Sequence, residues 1–248
     1  FSKSTEVNTG SSSQAYSNYN AVPRTNPNEV VEAPARFNIP LSVKLSASWE
    51  HAFFGDNRTT FTMYYNGHDG LPYSWVFGGD VNGDAVATDV DLAYIPKEND
   101  SIVTYKPGTT AEQIAAFNHL IESDSYLSSH RGQIATRNQS QQPWINQLDI
   151  GIQQELPGFF DDNKFVVRMD IYNFLNFLNS DWGDQMGVGF FGTRRLANIS
   201  DVTNGKYVYD LGTPTNPSWT NFTVRDSSAN PGRVVSRWQA LLTVKYEF

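Results

Sequence analysis

The 248-residue chain carries 26 acidic and 18 basic side chains, giving a formal net charge of −8, and it shows no cluster of Lys and Arg of the kind that binds nucleic acid. The absence of cysteine excludes a disulfide framework and any thiolate metal site or nucleophile. No stretch approaches the roughly 20 apolar residues of a membrane helix, yet 14% of the residues are aromatic although mean hydropathy is only −0.45.

Residues 1–37 form a polar segment at the start of the chain. They are mostly Ser, Asn, Thr, Pro and Glu, and they contain no basic and apolar run that would indicate a signal peptide. Such a composition cannot bury a core, so we predict a polar loop or a disordered arm. A chain that opens in such a segment is expected to be part of a larger protein.

Five segments of residues 38–248 alternate apolar and polar residues with period two. They cover residues 41–50, 60–66, 144–153, 164–172 and 237–248. In the last of them, Trp238, Leu242 and Val244 alternate with polar residues such as Thr243 and Lys245. Strict alternation indicates an all-β protein whose antiparallel sheet has one apolar and one polar face.

A soluble sandwich would bury that apolar face in a core, but the sequence favours a transmembrane β-barrel. The segments approach the 9–11 residues that a tilted membrane strand needs. Aromatic residues occur at segment ends, where interfacial girdles lie: Trp49, Tyr65, Trp144, Phe165, Trp238 and Phe248. Charges that suit a water-filled or plugged lumen occur within the polar faces: Lys44, Asp149, Arg168, Asp170 and Lys245.

The connections between the segments alternate in length. Short turns rich in Gly, Asp and Asn cover residues 54–58 and 157–163, and long connections cover about 67–142 and 174–232. This alternation is typical of outer-membrane barrels, with long loops outside and the C-terminus in the periplasm. Five strands cannot close a barrel, and open sheet edges in lipid would leave backbone groups unsatisfied, so partner strands must exist elsewhere.

The terminal segment resembles the signal that the outer-membrane barrel assembly machinery recognises. Its alternating apolar residues and terminal aromatic carry the resemblance: Trp238, Leu242, Val244, Tyr246 and Phe248. Residues 80–248 further resemble the last part of an Oar-like TonB-dependent receptor. The matching motifs are Asp80–Asp84, Asp91–Pro96, Arg131–Ile134 with Arg137–Asn138, Pro143–Asp149, Tyr172–Asn179 with Asp181–Gly183, and the terminal segment.

The resemblance implies a barrel of typically 22 strands, of which this chain would supply the final five. The family closes its barrel with an N-terminal plug and draws energy from the inner membrane through TonB. Ligand capture by the loops would precede a plug rearrangement driven by TonB, although the plug and the TonB box are not in this sequence. The alternative is a calcium-stabilised surface barrel with a structural or adhesive role and no transport.

An acidic stretch in the first long connection has the spacing of an EF-hand or dockerin calcium loop. Oxygen ligands fall at positions 1, 3, 5, 7, 9 and 12, namely Asp80, Asn82, Asp84, the Val86 carbonyl, Thr88 and Asp91. Ala85 replaces the usual Gly at position 6, and Asp91 replaces the bidentate Glu. The stretch therefore predicts a calcium site or, alternatively, an Asp/Asn/Gly turn cluster that shapes the loop. Calcium is the one cofactor that the sequence suggests.

The same connection predicts a short amphipathic helix. Thr109 and Glu112 have the spacing of a capping box, and an apolar face follows that we expect to pack against the loops: Ile114, Phe117, Leu120 and Ile121. The loops also carry aromatic residues that would either stack on sugars or peptides or pack the loops together: Tyr73, Trp75, Phe77, Phe190, Phe191 and Trp219.

No catalytic arrangement is visible in the sequence. The four histidines are scattered and form no H-E-x-x-H pattern, and G-x-S-x-G, P-loop and dinucleotide-binding motifs are missing. We therefore predict that the chain is not an enzyme.

Overall fold

The computed structural model describes residues 1–8, 10, 12–86, 89–160, 163–189, 191–225 and 235–248. These residues form sixteen strands and four helices. The strands are β1 (Thr5–Glu6), β2 (Ala33–Pro34), β3 (Ser42–Phe54), β4 (Asn57–His68), β5 (Pro72–Gly78), β6 (Tyr94–Ile95), β7 (Val103–Tyr105), β8 (Gln133–Ile134), β9 (Ser140–Gln141), β10 (Ile145–Pro157), β11 (Lys164–Tyr172), β12 (Met186–Gly187), β13 (Thr193–Thr203), β14 (Lys206–Asp210), β15 (Thr223–Val224) and β16 (Gln239–Glu247). The helices are α1 (Ala15–Asn20), α2 (Ala111–Ser123), α3 (Ser125–Ser129) and α4 (Phe174–Leu178).

The five alternating segments form one antiparallel sheet, which we name the wall sheet. Its strand order is β16-β11-β10-β4-β3, and β3 and β10 each reach 13 residues. The prediction of a mainly β protein with these five strands is confirmed. Within the described residues the wall sheet is open, because β3 and β16 each pair along one edge only.

The register of the wall sheet places most apolar residues of its five strands on one face, whereas Val166 and Leu241 lie on the other. Ile152 lies opposite Phe61 on one side and Met169 on the other. Leu242 then lies opposite Met169 on the edge strand. Because side chains alternate with period two, a slip of one residue in any pair would move a whole apolar row to the polar face.

A two-residue turn at Gly55 and Asp56 connects β3 to β4. Gly55 has φ +61°, a left-handed conformation that glycine adopts without the steric cost of a Cβ. Residues 158–163 connect β10 to β11 at the same end of the sheet. Both predicted short turns are therefore present, and the long connections leave from the opposite end.

The two long connections fold together into a second unit, which we name the loop body. Its mixed five-stranded sheet has the order β7-β14-β13-β5-β9. Strand β5 comes from the first connection and pairs in parallel with β13 from the second. A core forms around fully buried residues from both connections, including Trp75, Phe117 and Tyr209. The loop body therefore depends on contacts between segments that are distant in the sequence.

Helix α2 packs its apolar face into this core, as the sequence predicts. Phe117 and Ile121 are fully buried. The predicted capping box is wrong by one residue, because Thr110 rather than Thr109 is the N-cap and Gln113 rather than Glu112 completes the box. The hydroxyl of Thr109 instead donates to the carbonyl of Lys106 and closes the preceding turn.

Residues 1–37 lie against the loop body through long-range contacts. The guanidinium of Arg137 donates to the carbonyls of Val7, Glu6 and Val31 over 2.7–2.8 Å. Strands β1 and β2 pair within this segment. Hydrogen bonds to backbone carbonyls therefore help to hold this segment against the loop body.

In the described part of the chain, none of the helices has the length and apolar character that a membrane crossing requires.

We expect Phe117→Ala to destabilise the loop body by about 3–5 kcal/mol, because it removes a fully buried aromatic ring from the core. Denaturant unfolding followed by tryptophan fluorescence measures this, since the ring of Trp219 lies 6.1 Å from that of Phe117. His119→Ala on the exposed face of the same helix is the control and should change little. Equal effects of the two substitutions would contradict the assigned packing.

Candidate functional site

The apolar face of the wall sheet is the most unusual surface of the molecule. All thirteen residues of β3 are exposed, and the side chains of Trp49 and Leu242 are 53% and 67% exposed. The exposed apolar residues of this face are Val43, Leu45, Trp49, Phe61, Met63, Ile152, Met169, Leu242 and Val244. No described part of the chain covers them, and an apolar patch of this kind marks an interaction surface.

Aromatic residues cluster at both ends of this face. At the end with the short turns, the ring centroids of Phe165 and Tyr246 are 4.7 Å apart. At the end with the long connections, those of Phe177 and Trp238 are 5.1 Å apart. Trp238 and Tyr246 are eight residues apart, a rise of roughly 26 Å along a strand. Between the two clusters β16 carries Ala240, Leu242 and Val244 on this face, and the rings of Trp49 and Phe61 lie in the same cross-strand row as Leu242.

Polar tips accompany the aromatic rings at the end with the long connections. The hydroxyl of Tyr65 donates to Oδ1 of Asn146 at 2.7 Å, and Nε1 of Trp144 donates to the same atom at 3.0 Å. Tyr and Trp with an apolar body and a satisfied polar tip suit a boundary between an apolar and an aqueous phase.

The opposite face of the wall sheet carries a ladder of ion pairs that crosses all five strands near the short turns. Acidic and basic residues alternate along the ladder, and each pair shares a residue with the next. The pairs are Glu50–Arg58 at 3.1 Å, Arg58–Glu155 at 3.8 Å, Glu155–Lys164 at 2.7 Å, Lys164–Glu247 at 3.5 Å and Glu247–Lys245 at 2.9 Å. Exposed pairs contribute little singly, but a network fixes its members more firmly. The ladder marks this face as one that contacts water or polar groups.

The charges predicted within the strands also lie on the polar face. Arg168 pairs with Asp170 at 2.6 Å, and Asp149 accepts a hydrogen bond from the backbone N–H of Asn173 at 2.8 Å. The two faces therefore differ in chemistry along their whole length.

The residues that resemble an assembly signal lie at one edge of the sheet. Leu242, Val244 and Tyr246 are in edge strand β16 on the apolar face. Trp238 directly precedes this strand, and Phe248 follows it with its side chain 97% exposed. An edge strand with exposed apolar residues is free to pair with a further strand.

The acidic stretch folds into one compact turn. The carboxylate of Asp80 accepts hydrogen bonds from the backbone N–H groups of Gly83, Asp84 and Ala85. Ala85 has φ +63°, so it adopts the left-handed conformation that Gly provides at position 6 of a calcium loop. The departure from Gly in the sequence thus leaves the expected backbone shape in place.

Asp91 closes this turn from within the loop body. Its side chain accepts from the N–H groups of Val81 and Asn82 at 2.5 and 3.1 Å and from Nδ2 of Asn82 at 2.8 Å. Burial raises the pKa of the Asp91 carboxyl against the lowering effect of these donors, and the charges of Asp84 and Asp80 raise it further. The protonated form of this carboxyl is therefore favoured more than that of an exposed aspartate.

An arginine already contacts the turn. Nη2 of Arg24 lies 2.7 Å from Oδ2 of Asp84. Burial raises the pKa of Asp84, but hydrogen bonds from Arg24 and Val86 outweigh it, and the pKa falls below its usual value. The salt bridge ties residues 1–37 to the turn.

The structure brings Asp80, Asn82, Asp84 and Asp91 together, and Val86 is buried beside them. Thr88 lies outside the described residues. Among the described residues there is no group of three or more His, Asp or Glu side chains arranged to hold a metal ion. The arrangement matches the alternative of a hydrogen-bonded turn, and calcium binding stays a prediction.

The loop aromatics do not form an exposed stacking surface. Tyr73 and Trp75 are 2% and 0% exposed, so of the two alternatives the structure matches packing for these residues. Trp219 packs against the same core. The rings of Tyr73 and Trp75 are buried because β5, which carries both, lies inside the loop-body sheet. Phe190 lies outside the described residues.

Two arginines for which the sequence predicts no structural role hold the loop body together. The guanidinium of Arg194 lies between the rings of Trp75 and Phe222, 4.5 and 4.4 Å from their centroids. Arg137 binds carbonyls more than 100 residues away. No spacing rule marks such residues, because their partners are backbone groups or rings that only the folded chain brings near.

No protein-family model, curated protein or solved structure matches this chain.

We expect calcium to bind the acidic turn, because its oxygen-bearing side chains have the spacing of a calcium loop and Ala85 has the left-handed backbone conformation of position 6. Isothermal titration should give heat at millimolar calcium, and Asp80→Asn or Asp91→Asn should weaken binding by at least about tenfold. Glu98→Gln on the exposed surface is the matched charge control. The absence of heat in the unmodified protein would rule out the calcium site.

We expect the loop body to lose stability between pH 10 and 12. Burial and the nearby Asp124 raise the pKa of Tyr73 to about 12, so the folded state keeps a proton that the unfolded state releases near pH 10. Stability therefore falls as pH rises through this window, by about 2–3 kcal/mol for this group. Tyr73→Phe should reduce the pH dependence measured by denaturant unfolding, and an unchanged slope would contradict the assignment. Burial also raises the pKa of Tyr94 to about 12, so part of the pH dependence should remain in the Tyr73→Phe variant.

Proposed function

We propose that this chain is the C-terminal portion of a TonB-dependent outer-membrane receptor. The wall sheet would form part of the barrel wall, and the loop body would face the ligand on the extracellular side. Ligand capture by the loop body would be followed by a plug rearrangement driven by TonB. The rest of the barrel, typically 22 strands in the family that the sequence resembles, and the plug would come from other parts of the protein.

The observation that carries the proposal is the uncovered apolar face of the wall sheet. Val244 and Leu242 are 63% and 67% exposed in the middle of a strand, where a soluble sheet would bury them. Leaving such side chains in water costs about 1.5–3 kcal/mol each. Lipid chains would cover this face without any further protein layer.

The two open edges support the presence of additional strands. The outer backbone groups of β3 and β16 have no strand partner within the described residues. In lipid each unsatisfied backbone group costs several kcal/mol, which is why membrane sheets close into barrels. Strands from the remainder of the barrel would satisfy both edges.

The placement of the connections supports the orientation. Both short turns leave one end of the wall sheet, and the loop body stands at the other. Outer-membrane barrels place short turns in the periplasm and long loops outside the cell. The loop body, with its own core, would then be the extracellular part.

A surface barrel with an adhesive, calcium-stabilised role is the second candidate. The observation that favours it is the acidic turn, whose backbone has the shape of a calcium loop. A plug domain and a TonB box encoded on the same polypeptide would support transport, and a polypeptide without them would support the surface role.

A charge on the apolar face tests the membrane assignment. We expect Leu242→Arg to reduce the amount of protein in the outer-membrane fraction, because an arginine in the lipid-facing band costs roughly 2–4 kcal/mol. Leu241→Arg introduces the same charge one residue away on the polar face, opposite Asp170, and should be tolerated. Fractionation followed by immunoblotting of the membrane and soluble pools measures both.

The proposal predicts opposite outcomes for these two neighbouring substitutions. If Leu241→Arg were as harmful as Leu242→Arg, or if neither changed the membrane pool, the apolar face would not be in contact with lipid.

A further inference from the structure

A pocket rich in arginine lies where residues 1–37 and both long connections meet the wall sheet. It is a cavity of about 370 Å³ whose lining includes Arg36, Arg225 and Gln142. Arg36 precedes β3, Gln142 precedes β10, and Arg225 follows β15. Three distant parts of the chain therefore bring two cationic side chains and an amide to one place, which we name the arginine pocket.

Among the described residues that line the arginine pocket, the charged side chains are Arg36 and Arg225. None of the described residues that line it is acidic. Arg36 is 8% exposed, and burial lowers its pKa although the charge of Glu6, which does not line the pocket, acts in the opposite direction. Arginine nevertheless keeps its charge in proteins, so the pocket holds positive charge that is partly removed from water.

The guanidinium of Arg225 is fixed by its neighbours. Nη2 of Arg225 donates to Oε1 of Gln142 at 2.9 Å. A Cβ added to Gly187 would lie 2.3 Å from Nε of Arg225, so the guanidinium packs directly against this glycine backbone. Gln142 is 4% exposed, and its amide nitrogen is a further donor beside the guanidinium.

The remaining wall of the pocket is apolar. Phe37, Pro72 and Val188 contribute to it, and the guanidinium of Arg36 lies 5.5 Å from the ring centroid of Phe37. Guanidinium groups recognise carboxylates and phosphates by paired charge-assisted hydrogen bonds. A pocket that combines two such groups with apolar walls suits an oxyanion that is attached to an apolar body.

We propose that the arginine pocket is a binding site for an organic oxyanion, either a carboxylate or a phosphate, held by Arg36, Arg225 and the amide of Gln142. The site needs no lipid contact and would exist whether or not the wall sheet crosses a membrane. It goes beyond the proposed receptor function by naming a chemical class of ligand and its location.

Isothermal titration of the purified protein tests the site with three probes: inorganic phosphate, benzoate and the neutral benzamide. We expect saturable binding of phosphate or benzoate below about 10 mM. Benzamide has the same ring without the charge and should bind at least about tenfold more weakly than benzoate. Binding of phosphate alone would assign a phosphate ligand, and binding of benzoate alone would assign a carboxylate.

Substitutions locate the binding. Arg225→Gln, at a partly exposed position, should lower the affinity for the oxyanion by at least about tenfold. Arg36→Gln should lower it by the same factor if the variant folds. Lys206→Gln removes the same charge from an exposed position outside the pocket and should leave affinity unchanged. Absence of binding by both anions, equal binding of benzamide and benzoate, or full affinity in Arg225→Gln would overturn the proposal. None of these results would bear on membrane localisation.

Discussion

The structure depends on one constraint, the common register of the five strands of the wall sheet. Ile152 lies opposite both Phe61 and Met169, and each further pair continues the same alternation. A register shift of one residue would place charged and apolar residues on the same face. This register produces a continuous apolar face, which no described part of the chain covers, and a polar face crossed by the ion-pair ladder. The proposed membrane location follows from that asymmetry.

The ends of the same strands separate two environments. Short turns, the ion-pair ladder and the ring pair of Phe165 and Tyr246 occupy one end. The loop body and the aromatic pair of Phe177 and Trp238 occupy the other. The loop body is held together by long-range contacts, unlike the hairpins of the wall sheet. Parallel pairing of β5 with β13 and the hydrogen bonds of Arg137 bring together residues more than 100 positions apart. The arginine pocket lies at this junction, so its shape depends on both units.

Much of the wall sheet and one face of α2 could be predicted because their signals are local. Period-two alternation specifies a strand with two unlike faces, and the spacing of Phe117 and Ile121 specifies a helical face. The predicted capping box was wrong by one residue, because Thr109 and Thr110 are both suited to the N-cap position. The hydrogen bond from Thr109 to the carbonyl of Lys106 leaves Thr110 as the N-cap. Packing of Tyr73 and Trp75 was one of two alternatives that the sequence left open, because the partners that bury them come from the second long connection. The arrangement of the acidic turn was partly predictable, but its contact with Arg24 was not.

The sequence by itself determined that five strands share one apolar and one polar face, that short and long connections alternate, and that Asp80, Asn82 and Asp84 lie in a tight turn. These features follow from periodicity and turn chemistry within short stretches. Only the tertiary structure decided that the two long connections share a core and that Arg36, Gln142 and Arg225 meet in one pocket. The physical reason is that parallel pairing, ring packing and guanidinium contacts join groups far apart in the chain, and their positions depend on the folding of everything between them.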